Sequence, residues 1–125
     1  AESQPLIIYG TIMGVYGSRN QEFKDSLPKQ CADITRLAKL GKPLCICGDY
    51  NLSFADSYYF TQKGRNALLT AFEENNIRLL TSSVPECVDH IAVSDSFVQG
   101  KSVRIEEWNH NKKLSDHKGI SVTIQ

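Results

Sequence analysis

An excess of charge is the first thing this chain lacks. Its 14 lysines and arginines are matched by 14 aspartates and glutamates, so the formal net charge is zero. A non-specific nucleic-acid binder draws affinity from a cationic surface that displaces counterions, and the composition argues against that class. It does not exclude a local basic patch or a small phosphorylated substrate. Long hydrophobic runs are also missing: none approaches the roughly 20 apolar residues that span a bilayer. The opening residues, Ala1-Glu2-Ser3-Gln4-Pro5, have neither the basic start nor the cleavage pattern of a signal peptide. There is no internal repeat, linker or low-complexity stretch.

What is present is an ordinary globular composition. The 125 residues are 41% hydrophobic and 22% charged, enough for one domain with its own core. The four cysteines, Cys31, Cys45, Cys47 and Cys87, read as small buried thiols rather than disulfides. They point to a reducing, intracellular setting, the cytoplasm. A zinc site from Cys45-x-Cys47 and Cys87-x-x-His90 has poor spacing, because on a strand Cys87 and His90 face opposite ways.

Residues 5–13 are rich in β-branched side chains and read as a strand. A loop with Gly14, Gly17, Ser18 and Asn20 follows. A helix is expected from about Gln21 to Leu40, with Phe23, Leu27, Cys31, Ile34, Leu37 and Ala38 as its apolar stripe. Pro28 should kink it or mark its true start. Leu44-Cys45-Ile46-Cys47 is wholly apolar and reads as a buried strand. Leu52 to Lys63 is a loop or short helix, and a second helix is expected from Arg65 to Asn75. Strands follow at 77–81, 87–94, 102–108 and 119–124. This order implies an α/β or α+β layered fold, mainly one mixed sheet with helices on one face.

Three short motifs carry chemistry. In Gly48-Asp49-Tyr50-Asn51, a buried strand ends and Asp49 and Asn51 project from the same side of its end. A carboxylate beside an amide can orient water and grip a phosphate oxygen; the alternative is an ordinary turn. In Val88-Asp89-His90-Ile91, a carboxylate within an apolar strand asks for a partner, and a histidine suits it. The alternative there is an edge strand with Asp89 facing water. His90 points to the opposite face. In Ser115-Asp116-His117, the adjacent Asp and His side chains diverge, so one can bind a metal while the other faces a phosphate. The alternative is a polar loop before the last strand. Tyr58, Tyr59 and Phe60 can stack on a base, although core packing is the preferred reading. Lys112 and Lys113 can meet a phosphate, with a solvated loop preferred.

In this order, Gly-Asp-x-Asn, Asp-x-Ile and Ser-Asp-His resemble the C-terminal portion of the endonuclease/exonuclease/phosphatase superfamily. The resemblance runs from about Leu6 to Ile124. It implies a deoxyribonuclease I-like layered sandwich and a metal-dependent phosphoester hydrolase, most simply a nuclease-type phosphodiesterase using Mg²⁺ or Mn²⁺. By matching motif, Asp49 would activate water, Asn51 would position the scissile phosphate, Asp89 would pair with His117, His117 would contact the phosphate, and Asp116 would contribute to the metal site.

The resemblance is incomplete. The superfamily's N-terminal portion supplies a metal-binding Glu at the end of a buried strand. Gln21-Glu22 opens a helix instead, so that role is not transferred to it. The strand matching Leu6–Met13 also lacks a histidine found in many members. With no methionine before Ala1, the chain is read as an excerpt of a longer enzyme, a naturally short relative being the alternative. Expected partners are nucleic acid or another phosphoester substrate, together with a missing N-terminal half or a second copy. The competing function is a non-catalytic or split relative acting as a binding module.

Overall fold

The computed structural model describes residues 4–14 and 20–125. The loop expected at Gly17 and Ser18 and the side chain of Phe23 lie outside the described residues. The chain is a mixed α/β protein of the α+β class. Its elements in order are β1 (Ile7–Ile12), α1 (Gln21–Ala38), β2 (Leu44–Asp49), α2 (Gln62–Glu74), β3 (Ile77–Leu79), β4 (Asp89–Ser94), α3 (Asp95–Val98), β5 (Val103–Trp108) and β6 (Gly119–Ile124).

Four strands form one mixed sheet in the order β1-β2-β4-β3. The β1 and β2 strands are parallel, as the α1 crossover between them requires. The β4 strand is antiparallel to both β2 and β3. Strands β5 and β6 do not join this sheet, contrary to the single-sheet expectation. They pair with each other as a separate antiparallel ribbon, and β6 contacts β4. Gly119 allows their close pairing, because a Cβ there would sit 2.0 Å from the Trp108 ring opposite it.

Both long helices cover one face of the sheet. Leu27 and Ile34 of α1 and Leu68 and Phe72 of α2 pack on Leu44, Ile46 and Ala92. The α1 helix runs through Pro28 without ending there. The α2 helix begins three residues before its expected start. Thr61 supplies the reason: its hydroxyl accepts from the Gly64 amide at 3.1 Å and caps the first turn. The short helix α3 was not anticipated.

The opposite sheet face is only partly covered. Register aligns Ile8 with Cys45 and Val93, and Ile12 with Asp49 and Asp89, on that side. Val93 is buried, whereas Ile8 is 67% and Ile12 71% exposed. The open face therefore lies over β1 and β2, and Asp49 and Asp89 stand at its end. Among the described residues, no helix is long and apolar enough to cross a membrane.

Candidate functional site

Asp49 is the last residue of β2, and it is placed by the glycine before it. Gly48 has φ +136°, and a Cβ there would lie 2.0 Å from the Thr11 carbonyl oxygen. Only glycine lets β1 approach this closely while β2 swings Asp49 out. Tyr50 then turns inward. It is fully buried, donates to the Ile46 carbonyl at 2.7 Å, and packs against Phe54, Phe72 and His90. Asn51 returns toward the surface in the left-handed region at φ 51°. Its amide N–H donates to Asp49 Oδ1 at 2.8 Å, and its side-chain Nδ2 donates to the Gly14 carbonyl.

Asp89 opens β4 directly across from Asp49 in the register. His117 reaches it from the loop before β6: Nδ1 lies 2.7 Å from Asp89 Oδ2. A carboxylate only accepts, so Nδ1 carries a proton; Nε2 has a free lone pair in the neutral ring and a proton in the imidazolium. One ligand atom from each of Asp49, Asp89 and His117 lies within 4.8 Å of the others. The structure thus brings together three side chains from three separated motifs. Asp116 stands outside this group. Its side chain is 96% exposed, and its carboxylate comes only to 4.0 Å from His117 Nε2.

The electrostatics follow from this packing. Burial raises the Asp49 carboxyl above its ordinary range; the charges of Asp89 and Asp116 add to this, while the Asn51 amide and His117 oppose it. At His117, burial is the largest single influence and pulls the imidazole down. The Asp89 hydrogen bond and the charges of Asp89, Asp49 and Asp116 together outweigh it, so the net shift is upward. His90, by contrast, is a core residue. Burial lowers its pKa, and its ring bridges Thr81 at Nδ1 and the Leu52 and Cys87 carbonyls at Nε2. Both nitrogens are used, which leaves no lone pair for a shared zinc with the cysteines. All four thiols are free, with Cys87 buried and the others partly so, and burial pushes those of Cys45 and Cys87 up to about 11.

Two site-building residues were missed in the sequence. Asn109, at φ 59°, folds the loop that carries His117: its Nδ2 donates to the carbonyls of Ser115 at 2.9 Å and His117 at 2.6 Å, and its Oδ1 accepts from the Leu114 amide. Lys118 is buried and bonds the Pro85 carbonyl at 2.6 Å and Glu107 at 3.0 Å, which fixes the β5–β6 ribbon to the segment before β4. An asparagine directly after the strand ending at Trp108, and a lysine beside Asp-His, are the signals these two residues left in the sequence.

A cleft of about 280 Å³ opens beside the cluster, with Asn51, His117, Tyr58, Tyr59 and Lys112 on its walls. Phe60 joins the core and lies under the Arg65 guanidinium, as core packing of this aromatic run implies. Tyr58 and Tyr59 do not: they are 47% and 36% exposed. A second, larger and mostly apolar groove of about 900 Å³ runs between α1 and α2, remote from the three motifs. Comparison with known proteins gives no match, either to a family model or to a curated protein.

Proposed function

We propose that the chain is a metal-dependent phosphoester hydrolase domain of the endonuclease/exonuclease/phosphatase type, with a deoxyribonuclease I-like fold, acting as a nuclease-type phosphodiesterase. The observation that carries this reading is the 2.7 Å His117–Asp89 hydrogen bond with Asp49 in the same 4.8 Å cluster. Three motifs far apart in the chain converge on one half-buried point beside a polar cleft.

The residues fit a hard divalent cation. The carboxylates of Asp49 and Asp89 would give Mg²⁺ or Mn²⁺ its oxygen donors, with the His117 imidazole beside them. When bound, the ion polarises a phosphoryl oxygen and offsets charge in the transition state. The chain's own residues supply the rest. Asp89 holds His117 in the Nδ1–H tautomer, so Nε2 faces the incoming phosphate. In its imidazolium form, which the Asp89 hydrogen bond stabilises, Nε2 is a hydrogen-bond donor and a positive charge where negative charge develops. Asp49, held by the Asn51 amide, is placed to accept a proton from an attacking water. Asn51, anchored on Gly14, lies on the cleft wall where it can position the phosphate.

The half-covered sheet face favours a companion layer. Ile8 and Ile12 project from β1 on this face, Ile12 next to the strand ends that bear Asp49 and Asp89. A second polypeptide layer, from an N-terminal half or another copy, closes this face and adds ligands beside Asp116. Without it the same chain is a split or binding-only relative. The test is magnesium-dependent cleavage of single-stranded oligonucleotides and of a simple phosphodiester. Asp49→Ala and His117→Ala are each expected to lower turnover by about 10²-fold or more. Unchanged turnover in either variant overturns the site. Metal binding without turnover by the unaltered chain selects the binding-only alternative.

A further inference from the structure

We propose that Tyr58 and Lys112 form a nucleoside-binding subsite beside the Asp49–Asp89–His117 cluster, so that the substrate is an unpaired nucleotide whose base lies on the Tyr58 ring. This rests on the phosphoester reading above and extends it to the part of the substrate next to the phosphate.

One cleft joins the two groups: Asn51, Asp116 and His117 line it together with Tyr58, Glu86 and Lys112. At about 280 Å³ it is near the lower bound of small-molecule sites, which leaves room for one nucleoside rather than a run of strand. Asn51 and His117 are the wall residues beside the Asp49–Asp89 carboxylates and are the groups assigned to the phosphate, so the exposed aromatic ring of Tyr58 is left for the base.

Tyr58 is also held ready. Its ring is 47% exposed and stands on the cleft wall. The loop that carries it is fixed from several sides. The Tyr58 amide donates to Asp56 Oδ1 at 3.1 Å, and the other oxygen of Asp56 accepts from the Glu86 amide at 2.7 Å. Ser53 ties to the backbone of Tyr59 through both its amide and its hydroxyl, and Arg65 donates to the carbonyls of Ser53 and Asp56. Preorganisation of this kind lowers the entropic cost of binding.

Lys112 completes the subsite. Its backbone is left-handed at φ 54°, and its ammonium bonds the Tyr58 hydroxyl and lies 4.5 Å from the ring centroid. The bond to the hydroxyl fixes the ring's orientation from its phenolic end, and the ring remains about half exposed. A chain of zero net charge gains little from non-specific attraction to a phosphate backbone. Base stacking, which any nucleobase can make, is then the main source of affinity for the substrate.

The experiment is calorimetric titration of the chain, with Mg²⁺ present, by adenosine 5′-monophosphate and by ribose 5-phosphate. The nucleotide is expected to bind about tenfold more tightly, the base being the difference. Tyr58→Ala is expected to abolish that difference and leave ribose 5-phosphate binding unchanged. Tyr58→Phe, which keeps the ring, is expected to retain most of it. Equal binding of the two ligands to the unaltered chain, or a preference that survives Tyr58→Ala, overturns the subsite while leaving the phosphate site standing. Failure to bind either ligand overturns the subsite and the phosphoester reading together.

Discussion

At Gly48 the backbone φ of +136° and the Thr11 carbonyl leave no space for a side chain. Gly48→Ala must either push β1 away or twist the end of β2. Its expected cost is about 2–4 kcal/mol in urea unfolding, and a loss below half of that shows that the strand pair relaxes freely. His90 gives a second residue-scale expectation. Its folded pKa is lowered by burial, so above about pH 6.5 both folded and unfolded forms are neutral and its contribution is complete. As pH falls below that value the unfolded chain takes a proton that buried His90 resists, and stability is lost down to the folded pKa. His117, with a raised pKa, acts in the opposite sense, losing its contribution as pH rises. The slope must therefore be read as a difference: melting temperature between pH 7.5 and 5.5 is expected to fall less steeply in His90→Gln than in the unaltered chain. Equal slopes contradict the buried, neutral His90. At this scale the sequence was most informative where a polar residue interrupts an apolar run. Asp49, Asp89 and His117 were legible because each is conspicuous in its local context. Asn109 and Lys118 were not, since their partners are backbone carbonyls and a distant glutamate that no local pattern announces.

Among the elements, apolar patterning located all six strands and both long helices: β2 by its continuous apolar run, the helices by a one-sided stripe. It did not foresee that α2 starts at Gln62, since the Thr61 cap competes with a loop reading of the aromatic run before it. Nor did it separate β5 and β6 from the main sheet. Alternation tells which face of a strand is buried, not which strand it pairs with. What seats that ribbon is partly Lys118, whose ammonium reaches both Pro85 and Glu107. Glu107 is partly exposed, so the pair is worth less than a fully buried one. Lys118→Ala is expected to lower stability by about 1–3 kcal/mol. Lys118→Met, which keeps the aliphatic packing, is expected to recover part of that loss. Equal stability of Lys118→Ala and the unaltered chain in denaturant titration contradicts this role.

For the whole molecule, the open sheet face is the largest unresolved demand of the fold. Ile8 and Ile12 are both more than two-thirds exposed on a face whose opposite side is packed by two helices. Apolar surface of this kind seeks a partner. In sedimentation velocity the chain is expected to self-associate at high micromolar concentration, and Ile8→Lys with Ile12→Lys to shift it toward monomer with little change in melting temperature. A strictly monomeric unaltered chain contradicts a second copy as the companion layer. The α+β class itself was legible from element order, whereas the need for a second layer appeared in the sequence only as apolar runs too continuous for the helices available.

The central claim is that Asp49, Asp89 and His117 form one divalent-cation and phosphate site. Calorimetric titration with Mn²⁺ tests it most directly. The expected result is one ion bound per chain, with binding abolished by Asp49→Asn and weakened by His117→Ala, while Asp95→Asn, distant from the cluster, binds as the unaltered chain does. No binding by the unaltered chain, or binding that survives Asp49→Asn, contradicts the account.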